Sequence, residues 1–445
     1  MPTAVVPESG REGSPEHRGE AQDAVPPLAV RLLVYWSAIG GFLLIAVSMM
    51  TPVILVGSMA APLLVCDHRA LRAELLKINP LTVVLAIAAV YLSINATWSL
   101  DRKSALVSLA TIYAVVVATH VCASALAVTR AEYLRAMRTG TVIGICVGAG
   151  FLCFEYVTKL SIQRSLQWLQ AAAHVKLVRI NVSNETIGAF TFIMNRNLVE
   201  LVILVWMAGL LQMRREKSRG GRALVVGLVA VVVLCAALSP SASAKMGLLA
   251  GAAMFALHVY APEAGRVLLM AAWSVLCVLA LPIAKLLYGL KLYDVGWLPS
   301  SARHRVIIWG ASSDWYWKAP WLGAGVGSAR GLDELDPAHR VDTPGLQDAG
   351  LNWHAHNAYV QVWFEAGLVG AVLLLVIGLL LLREVYRMPR QDQPFLAAAF
   401  TSAMVAASTA FSIWAAWFLA AFGMAAIFAT LARPPAPANA QSSTK

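Results

Sequence analysis

The chain alternates long apolar runs with short polar breaks from about residue 30 to residue 431. A helix needs roughly 20 residues to cross a bilayer, and this length divides the runs into about twelve candidate spans. Backbone groups in lipid must be satisfied within the segment, so the spans are predicted to be helices. They lie near 30–48, 51–66, 80–95, 105–126, 139–158, 186–211, 223–239, 246–261, 266–287, 357–382, 394–410 and 412–431. The pattern therefore predicts an all-α polytopic membrane protein.

These spans divide the chain into five segments. Residues 1–28 are polar, acidic and rich in Pro, which predicts a disordered tail. Residues 29–287 hold the first nine predicted helices. A long segment, 288–356, is predicted to carry short helices before the tenth span. Residues 357–432 hold the last three helices, and residues 433–445 form a second tail.

The orientation follows from the basic residues in the loops. Short loops on the side of the two termini are dense in Lys and Arg, most clearly in "RREKSRGGR" (214–222) and "REVYRMPR" (383–390). Cytoplasmic loops carry such an excess. Both termini are therefore predicted to be cytoplasmic, and segment 288–356 is predicted to lie outside the cytoplasm.

Composition agrees with a membrane protein and argues against nucleic acid as a partner. The 445 residues are 59% hydrophobic and only 13% charged, with a mean hydropathy of +0.68, whereas soluble domains carry about a quarter of charged residues. The net charge of +11 resides in short loops between spans. That distribution is typical of topology signals and of contact with membrane phospholipids.

The sequence predicts no metal or cofactor. Its six cysteines form no CxxC pair, and His354 and His356 lack a third ligand at metal-site spacing. The stretch "LGAGVGSARG" (322–331) resembles a nucleotide-binding loop, but it belongs to no βαβ unit and is predicted to be a Gly-rich turn.

Several basic side chains stand at the predicted outer ends of spans, where a charge is costly and is a functional candidate by default. Helix packing and snorkelling are the alternative explanations. Arg offers a planar fork for phosphate oxygens and Lys a point charge, so an anionic ligand held at the bilayer surface is predicted. The candidates are Arg196, Lys245, Arg303, Arg305, His354 and His356.

Histidine is the natural proton acceptor near neutral pH, because its unperturbed pKa is about 6.5. Cations beside His354 and His356 would disfavour the charged ring and keep it able to accept a proton. A capping or packing role at the start of the tenth span is the alternative.

The spacing of residues around His356 resembles the O-antigen ligase family. His356-Asn357, nine further residues and then "GLVG" (367–370) fit its signature H-[NSQ]-x9-G-x-x-G. Upstream, the chain is similar to the family's Arg-x-x-x-Trp and Pro-x-x-Gly-x-Gly patterns. The residues in these positions are Arg305, Trp309, Pro320, Gly323 and Gly325.

The resemblance implies a metal-independent, inverting glycosyltransferase with a GT-C-like fold in the bacterial inner membrane. Its substrates would be an O-antigen polysaccharide on undecaprenyl pyrophosphate and a sugar hydroxyl of lipid A–core, joined at a periplasmic site. His356 would be the general base, and Arg196 and Arg305 would bind the pyrophosphate. The other substrate-binding candidates are Lys245, Arg303, His354, Asn357 and Trp309. Many relatives have Ser-Arg where this chain has Ala244-Lys245, which keeps a charge but loses the fork.

Three alternatives remain open from the sequence. An O-antigen polymerase and a protein O-oligosaccharyltransferase share the superfamily and the lipid-linked donor. A transporter of lipid-linked glycans or anions is the alternative of another class, although no internal repeat of the kind common in transporters is visible.

Overall fold

A computed structural model describes residues 26–165, 184–331, 354–409 and 411–433 of the chain. Within these ranges the regular elements are α-helices and short 3₁₀ turns, apart from one isolated antiparallel bridge between Cys66 and Thr129. The predicted all-α polytopic fold is confirmed. Most of both predicted tails, residues 1–25 and 434–445, lies outside the described residues.

Each predicted span coincides with helical structure. The second is built from a 3₁₀ turn at Ser48–Met50 followed by two short helices. Among the described residues, ten segments are long and apolar enough to cross a membrane, and the last apolar helix is shorter at 17 residues. In chain order the helices are α1 (Pro27–Ala46), α2 (Thr51–Ser58), α3 (Ala60–Val65), α4 (His68–Leu75), α5 (Pro80–Asn95), α6 (Arg102–Ala127), α7 (Ala131–Val157), α8 (Asn184–Arg215), α9 (Arg219–Leu238), α10 (Ala242–Tyr260), α11 (Pro262–Gly289), α12 (Ser300–Tyr316), α13 (Ala358–Arg387), α14 (Gln393–Thr409) and α15 (Ala416–Ala432).

Polar side chains at the breaks begin the helices by capping. The Oδ1 atoms of Asn79 and Asp101 accept hydrogen bonds of 2.9 Å from the third backbone N–H of α5 and α6. Ser241 does the same at 3.3 Å for α10. A capping oxygen satisfies one of the backbone donors that a helix start leaves open, so these three breaks in the apolar pattern are also local signals for the next helix.

Small residues bring α1 and α7 into close contact. Gly140, Gly144 and Gly148 stand four residues apart on α7, and a Cβ atom at each would lie closer than 3.0 Å to α1. Glycines at this spacing let two membrane helices approach backbone to backbone. This contact fixes α1 against the bundle.

Alternating chain direction brings the ends of several helices to one end of the bundle. We call the end where α1 ends and α13 begins the site end. There the Asn197 Nδ2 donates to the Ala46 carbonyl at 2.8 Å, joining α8 to α1. The Ser239 hydroxyl, which follows α9, donates to the Asn195 Oδ1 at 2.9 Å.

The opposite end holds the short basic loops. Arg214 pairs with Asp392, and the Arg138 Nε donates to the Leu431 carbonyl at 2.6 Å. Arg390 reaches Glu263 at 3.2 Å. The basic loops of the predicted topology thus gather at the end away from His356.

Segment 288–356 begins as α11 ends. It contains a 3₁₀ turn at Leu292–Asp294, the 17-residue helix α12, and a second 3₁₀ turn at Ser328–Gly331. Residues 332–353 lie outside the described residues. Since α12 packs against both α11 and α13, the described part of this segment is joined to the bundle at the site end.

Candidate functional site

Helix α13 is broken nine residues after its first residue. Gly367 has φ 60° and ψ −162°, which is not helical, and the chain resumes the helix beyond it. The first part, residues 358–366, is almost wholly buried among other helices. A backbone break at membrane depth is tolerated where protein surrounds it, and here a loop fills the break.

That loop is the Gly-rich stretch that begins at Pro320. The backbone N–H groups of Ala324 and Gly325 donate to the Phe364 and Glu365 carbonyls at 2.9 Å and 2.8 Å. In return the Leu368 N–H donates to the Pro320 carbonyl at 2.9 Å. The stretch is a turn, as predicted, and its backbone bonds replace those that α13 loses at its break.

Glycine is required where loop and helix meet. Gly323 and Gly367 have φ values of 72° and 60°, and a Cβ on Gly367 would lie 2.6 Å from the Gly323 nitrogen. Gly325, with φ 100°, meets Ser99 closer than a Cβ would allow. Only glycine adopts this backbone without cost and leaves room for the approach. The two halves of the sequence signature, which are 42 residues apart or more, therefore interlock.

The buried carboxylate of Glu365 binds the same loop. Glu365 has no exposed surface. One of its oxygens accepts from the Gly327 N–H at 3.0 Å and from the Trp414 Nε1, and the other accepts from the Ala329 N–H at 2.9 Å and the Gln361 Nε2 at 3.2 Å. All four partners are donors, so Glu365 acts as an acceptor alone.

The turn before α6 holds the loop from its other side. The Asn95 Oδ1 accepts from the Val326 N–H at 2.8 Å, and its Nδ2 donates to the Leu322 carbonyl at 2.6 Å. Ser99 and Ser328 bond through their hydroxyls at 3.2 Å. The loop that precedes His356 in sequence is thus fixed by α13, by Asn95 at the end of α5 and by Ser99 in the turn before α6.

His356 lies just before the start of α13 and has an uncommon backbone conformation. Its φ is 50°, in the left-handed region, which is uncommon for non-glycine residues but which His, Asn and Asp enter more readily than others. The ring centroids of His354 and His356 are 4.1 Å apart. Between them, the Ala355 carbonyl accepts a 2.7 Å hydrogen bond from the Trp309 Nε1. The chain at the histidine pair is therefore held on α12.

Asn357 fixes the other side of His356. Its Oδ1 accepts from the backbone N–H groups of Tyr359 and Val360 at 3.0 Å and 3.1 Å, which makes it the N-cap of α13. The Asn357 Oδ1 and the Trp309 Nε1 thus make their hydrogen bonds within the protein. Their predicted part in substrate binding remains a prediction, with the Asn357 Nδ2 and the face of the Trp309 ring as the groups that could supply it.

Helix α12 carries both predicted arginines beside the histidines. Arg305 is one turn before Trp309, so the two side chains lie on one face of the helix. Burial lowers the pKa of the Arg305 guanidinium, which nevertheless stays protonated because its pKa is far above neutral. The Arg303 Nε is shielded from solvent and has no hydrogen-bond partner among the described residues.

Arg196 stands near the start of the described part of α8, at the site end. Its Nη1 lies 2.9 Å from the Met49 sulfur, in the turn between α1 and α2. The next turn of α8 carries Glu200, a fully buried carboxylate that accepts a 2.8 Å hydrogen bond from the Thr51 hydroxyl. These contacts tie Arg196 to the short connection after α1.

Lys245 is exposed in the first turn of α10, directly after the buried Ala244. Helices α8 and α10 pack against each other, and both pack against α14. The structure therefore joins Trp309 of α12 to the histidine pair at the start of α13, with Arg305 one turn before Trp309 on the same helix. It places Arg196 and Lys245 on separate helices at the same end of the bundle.

Sequence reasoning missed the buried acceptors of this region. Glu200 and Glu365 lie inside apolar runs, where an ionisable residue is costly and usually functional. That signal was available, and Glu200 stands only four residues after Arg196. Nothing in the local sequence pairs Asn95 with residues 322–326. Among the described residues, no group of three or more His, Cys, Asp or Glu side chains is placed to hold a metal ion.

Comparison with known proteins confirms the family resemblance over the region of the site. Residues 197–375 match the family model described as O-antigen ligase. Arg305, Trp309, His356 and the interlocking glycines lie inside that match, and Arg196 immediately precedes it. A protein of Rickettsia conorii named "Putative polysaccharide ligase" is 25% identical over 120 residues, which cover 27% of this chain and 29% of the relative. The alignment thus spans less than a third of either protein.

Proposed function

We propose that this chain is an O-antigen ligase of the bacterial inner membrane. It would transfer a polysaccharide from undecaprenyl pyrophosphate to a sugar hydroxyl of lipid A–core. The family match over residues 197–375 supports the general class of polysaccharide ligase or polymerase. The donor, the acceptor and the mechanism are the parts that we add.

The observation that carries the proposal is the way His356 is held. Its backbone is in the left-handed region between two fixed neighbours: Ala355, bonded to Trp309, and Asn357, the cap of α13. His enters the left-handed region more readily than most residues, and here contacts on both sides fix it there; such conformations recur at active sites. A fixed imidazole at a helix start suits a general base, which must meet its proton at hydrogen-bond distance.

In the proposed reaction, His356 accepts the proton of the acceptor hydroxyl. The hydroxyl oxygen forms a bond to the anomeric carbon of the donor sugar from the side opposite the phosphate, which inverts the configuration. The bond between that carbon and the phosphate oxygen breaks, and its electrons leave with undecaprenyl pyrophosphate.

Cations at the site end would stabilise the negative charge on the leaving group. Arg305 lies on α12 one turn before Trp309, whose Nε1 bonds the residue between the two histidines. Arg196 and Lys245 add positive charge from α8 and α10. Preorganised charge aimed at a developing anion is often the largest contribution to catalysis, so the reaction is proposed to proceed without a metal.

The site end is proposed to face the periplasm, with both termini in the cytoplasm. Support comes from the basic loops, which gather at the opposite end with Arg214, Arg138 and Arg390. A lipid-linked donor exposed at the outer leaflet would then reach His356 without access to cytoplasmic nucleotides.

The test uses purified protein in detergent with EDTA, an undecaprenyl-pyrophosphate-linked glycan and lipopolysaccharide that lacks O-antigen. Wild type should produce a ladder of larger lipopolysaccharide on a gel, and His356→Ala should produce none. Lengthening of the lipid-linked glycan itself would indicate a polymerase instead. Absence of both products, with the lipid-linked glycan intact, would favour a transporter.

A further inference from the structure

The connection between α1 and α2, residues 46–51, is bonded to one side of α8, and we call it the α1–α2 turn. Asn197 makes two of these bonds. Its Nδ2 donates to the Ala46 carbonyl at 2.8 Å, and its Oδ1 accepts from the Ser48 N–H at 3.1 Å. Asn197 and Ser48 have no exposed surface. Both the oxygen and the nitrogen of the buried amide therefore bind the turn.

Glu200 holds the other end of the turn. Its two carboxylate oxygens each lie 2.8 Å from the hydroxyl of Thr51, the first residue of α2, which donates to them. Both side chains are wholly buried. Removing a carboxylate from water is costly, and inside a membrane bundle such a residue usually serves a function. The proposed reaction gives Glu200 no chemical step, which leaves the turn that it binds as the structure through which it acts.

Between these two anchors the turn contacts Arg196. The Arg196 Nη1 donates to the Met49 sulfur at 2.9 Å. Arg196 is one turn of helix before Glu200, so the two side chains lie on the same face of α8. Met49 is 54% exposed and Arg196 is partly exposed, whereas the residues that anchor the turn are buried. The turn thus holds one guanidinium at the surface of the site end.

The Met49 sulfur is suited to orient Arg196 without competing for its ligand. A thioether is a weak acceptor, and a guanidinium binds phosphate oxygens far more strongly. A long side chain loses conformational entropy when it binds a ligand, and one that is already oriented loses less. The contact therefore prepares Arg196 for an anion, and a phosphate oxygen can displace the sulfur.

We infer that Glu200 and Asn197 are positioning residues for donor binding. They hold the α1–α2 turn on α8, the turn places Met49 against Arg196, and the guanidinium is oriented before the pyrophosphate arrives. The inference rests on the proposed function for the identity of the ligand. It differs from a purely structural role in one measurable respect: the anchors of the turn should affect donor affinity only while Arg196 is present.

The experiment is a double-mutant cycle between the turn and Arg196. Thr51→Val removes the hydroxyl donor and keeps the branched shape of the side chain, and it is made in wild-type protein and in Arg196→Ala. The affinity of each protein in nanodiscs is measured for undecaprenyl pyrophosphate without a glycan, so that no transfer is required. A double-mutant cycle isolates the coupling between two sites from the effect of each substitution on the fold.

Ser402→Ala is the matched control. The Ser402 hydroxyl is also buried between helices, donating to the Gly247 carbonyl at 2.9 Å and accepting from the Trp206 Nε1 at 3.0 Å. Its loss should lower the melting temperature at least as much as Thr51→Val does. Because none of these contacts involves the α1–α2 turn, Ser402→Ala should bind undecaprenyl pyrophosphate as wild type does.

Thr51→Val should weaken binding by about fivefold in wild-type protein, a part of the roughly tenfold or greater loss expected when Arg196→Ala removes a hydrogen bond between charged groups. In the Arg196→Ala background, Thr51→Val should change the affinity by less than about twofold. Thr51→Ser, which keeps the hydroxyl, should bind like wild type. Equal losses in the two backgrounds, or an unaltered affinity in Thr51→Val, would overturn the inference.

Substitutions of Glu200 test the same bond from its other side. The amide oxygen of Glu200→Gln can still accept from the Thr51 hydroxyl, so this variant should keep most of the affinity. Glu200→Leu cannot accept and should lose affinity as Thr51→Val does. Equal losses in Glu200→Gln and Glu200→Leu would show that the carboxylate does not act by holding the turn, and the inference would be wrong.

The result of this test is separate from that of the ligase assay. Protein that shows the coupling but transfers no glycan to lipopolysaccharide would keep the positioning role and reject the ligase. Protein that transfers glycan without the coupling would keep the ligase and reject the positioning role. Unaltered binding in Arg196→Ala, or no binding by wild type, would reject the positioning role together with the part given to Arg196 in the reaction.

Discussion

The Trp309 Nε1 donates a 2.7 Å hydrogen bond to the carbonyl of Ala355, the residue between His354 and His356. This one bond joins α12, which also carries Arg305, to the start of α13. The two candidate chemical groups, the arginine and the histidine, thereby belong to one unit.

Replacing Trp309 by Phe tests this connection. The ring is kept and the donor is lost, which should cost about 1 kcal/mol in stability and lower kcat more than it raises KM for the donor, because His356 loses its fixed position. Trp273→Phe is the control, since its Nε1 makes a similar 3.0 Å bond to the Leu375 carbonyl on another pair of helices. Equal loss of activity in both variants would mean that the Trp309 bond only stabilises the fold.

At His356, Asn is the informative substitution. Asn tolerates the left-handed backbone that His356 adopts, but its amide cannot accept a proton. His356→Asn and His356→Ala should both lower kcat by roughly 10²- to 10⁴-fold, the usual contribution of a general base, while binding of the lipid-linked donor persists. A His356→Asn variant with near-normal rate would reject the role.

Arg305 should not be replaceable by Lys. Its guanidinium is half-buried, and burial lowers its pKa without removing its charge. Lys would keep the charge but not the fork that binds two phosphate oxygens, so Arg305→Lys should raise the KM for the donor by about tenfold, with a larger rise for Arg305→Ala. The exposed Lys318 of the same segment provides a control, Lys318→Ala. Unaltered donor binding in Arg305→Ala would contradict the assignment.

Glu365 should be needed as a carboxylate. It accepts from four donors, and the amide of Gln would turn an N–H toward two of them. Each buried donor left without an acceptor costs about 1–3 kcal/mol. Both Glu365→Gln and Glu365→Ala should thus loosen the loop at 322–329, detected as faster proteolysis there and a lower melting temperature. Glu384→Gln, at an exposed glutamate of the same helix paired with Arg387, should change neither.

Gly323 should not accept a side chain. Its φ of 72° and its contact with Glu365 closer than a Cβ permits predict that Gly323→Ala strains the loop by about 1–3 kcal/mol and separates it from α13. Gly150→Ala, on a face of α7 where a Cβ meets nothing within 4 Å, should be neutral. Comparable thermal stability and activity in the two variants would show that the interlock is not needed.

The spans and most of their ends were predictable because they depend on local properties. A run of apolar residues long enough to cross a bilayer can satisfy its backbone only as a helix, and Asn79, Asp101 and Ser241 mark helix starts by chemistry that acts over three residues. The glycines at 323, 325 and 367 were predicted as part of a signature. The reason why these positions need glycine was not predictable, because it lies in contacts between the loop and α13.

The roles of individual side chains required the fold. Asn357 and Trp309 are predicted to bind substrate, and the structure adds a second role, since the Asn357 Oδ1 and the Trp309 Nε1 hold the backbone around His356. Glu365 escaped notice because its four partners come from residues 327, 329, 361 and 414, which no local pattern connects. The left-handed φ of His356 lies between the anchors at Ala355 and Asn357, which only the fold brings together.

Hydropathy and loop charge predicted the class of protein, the helices long enough to cross a membrane and the end of the bundle at which His356 lies, since each depends on runs of neighbouring residues and on their transfer into lipid. Tertiary structure alone decided which residues meet there. Loop 320–329 fills the break in α13, and α12 fixes the histidine pair. Those relations join residues far apart in the chain, and they form only when packing and hydrogen bonding across the bundle outweigh the conformational entropy that is lost.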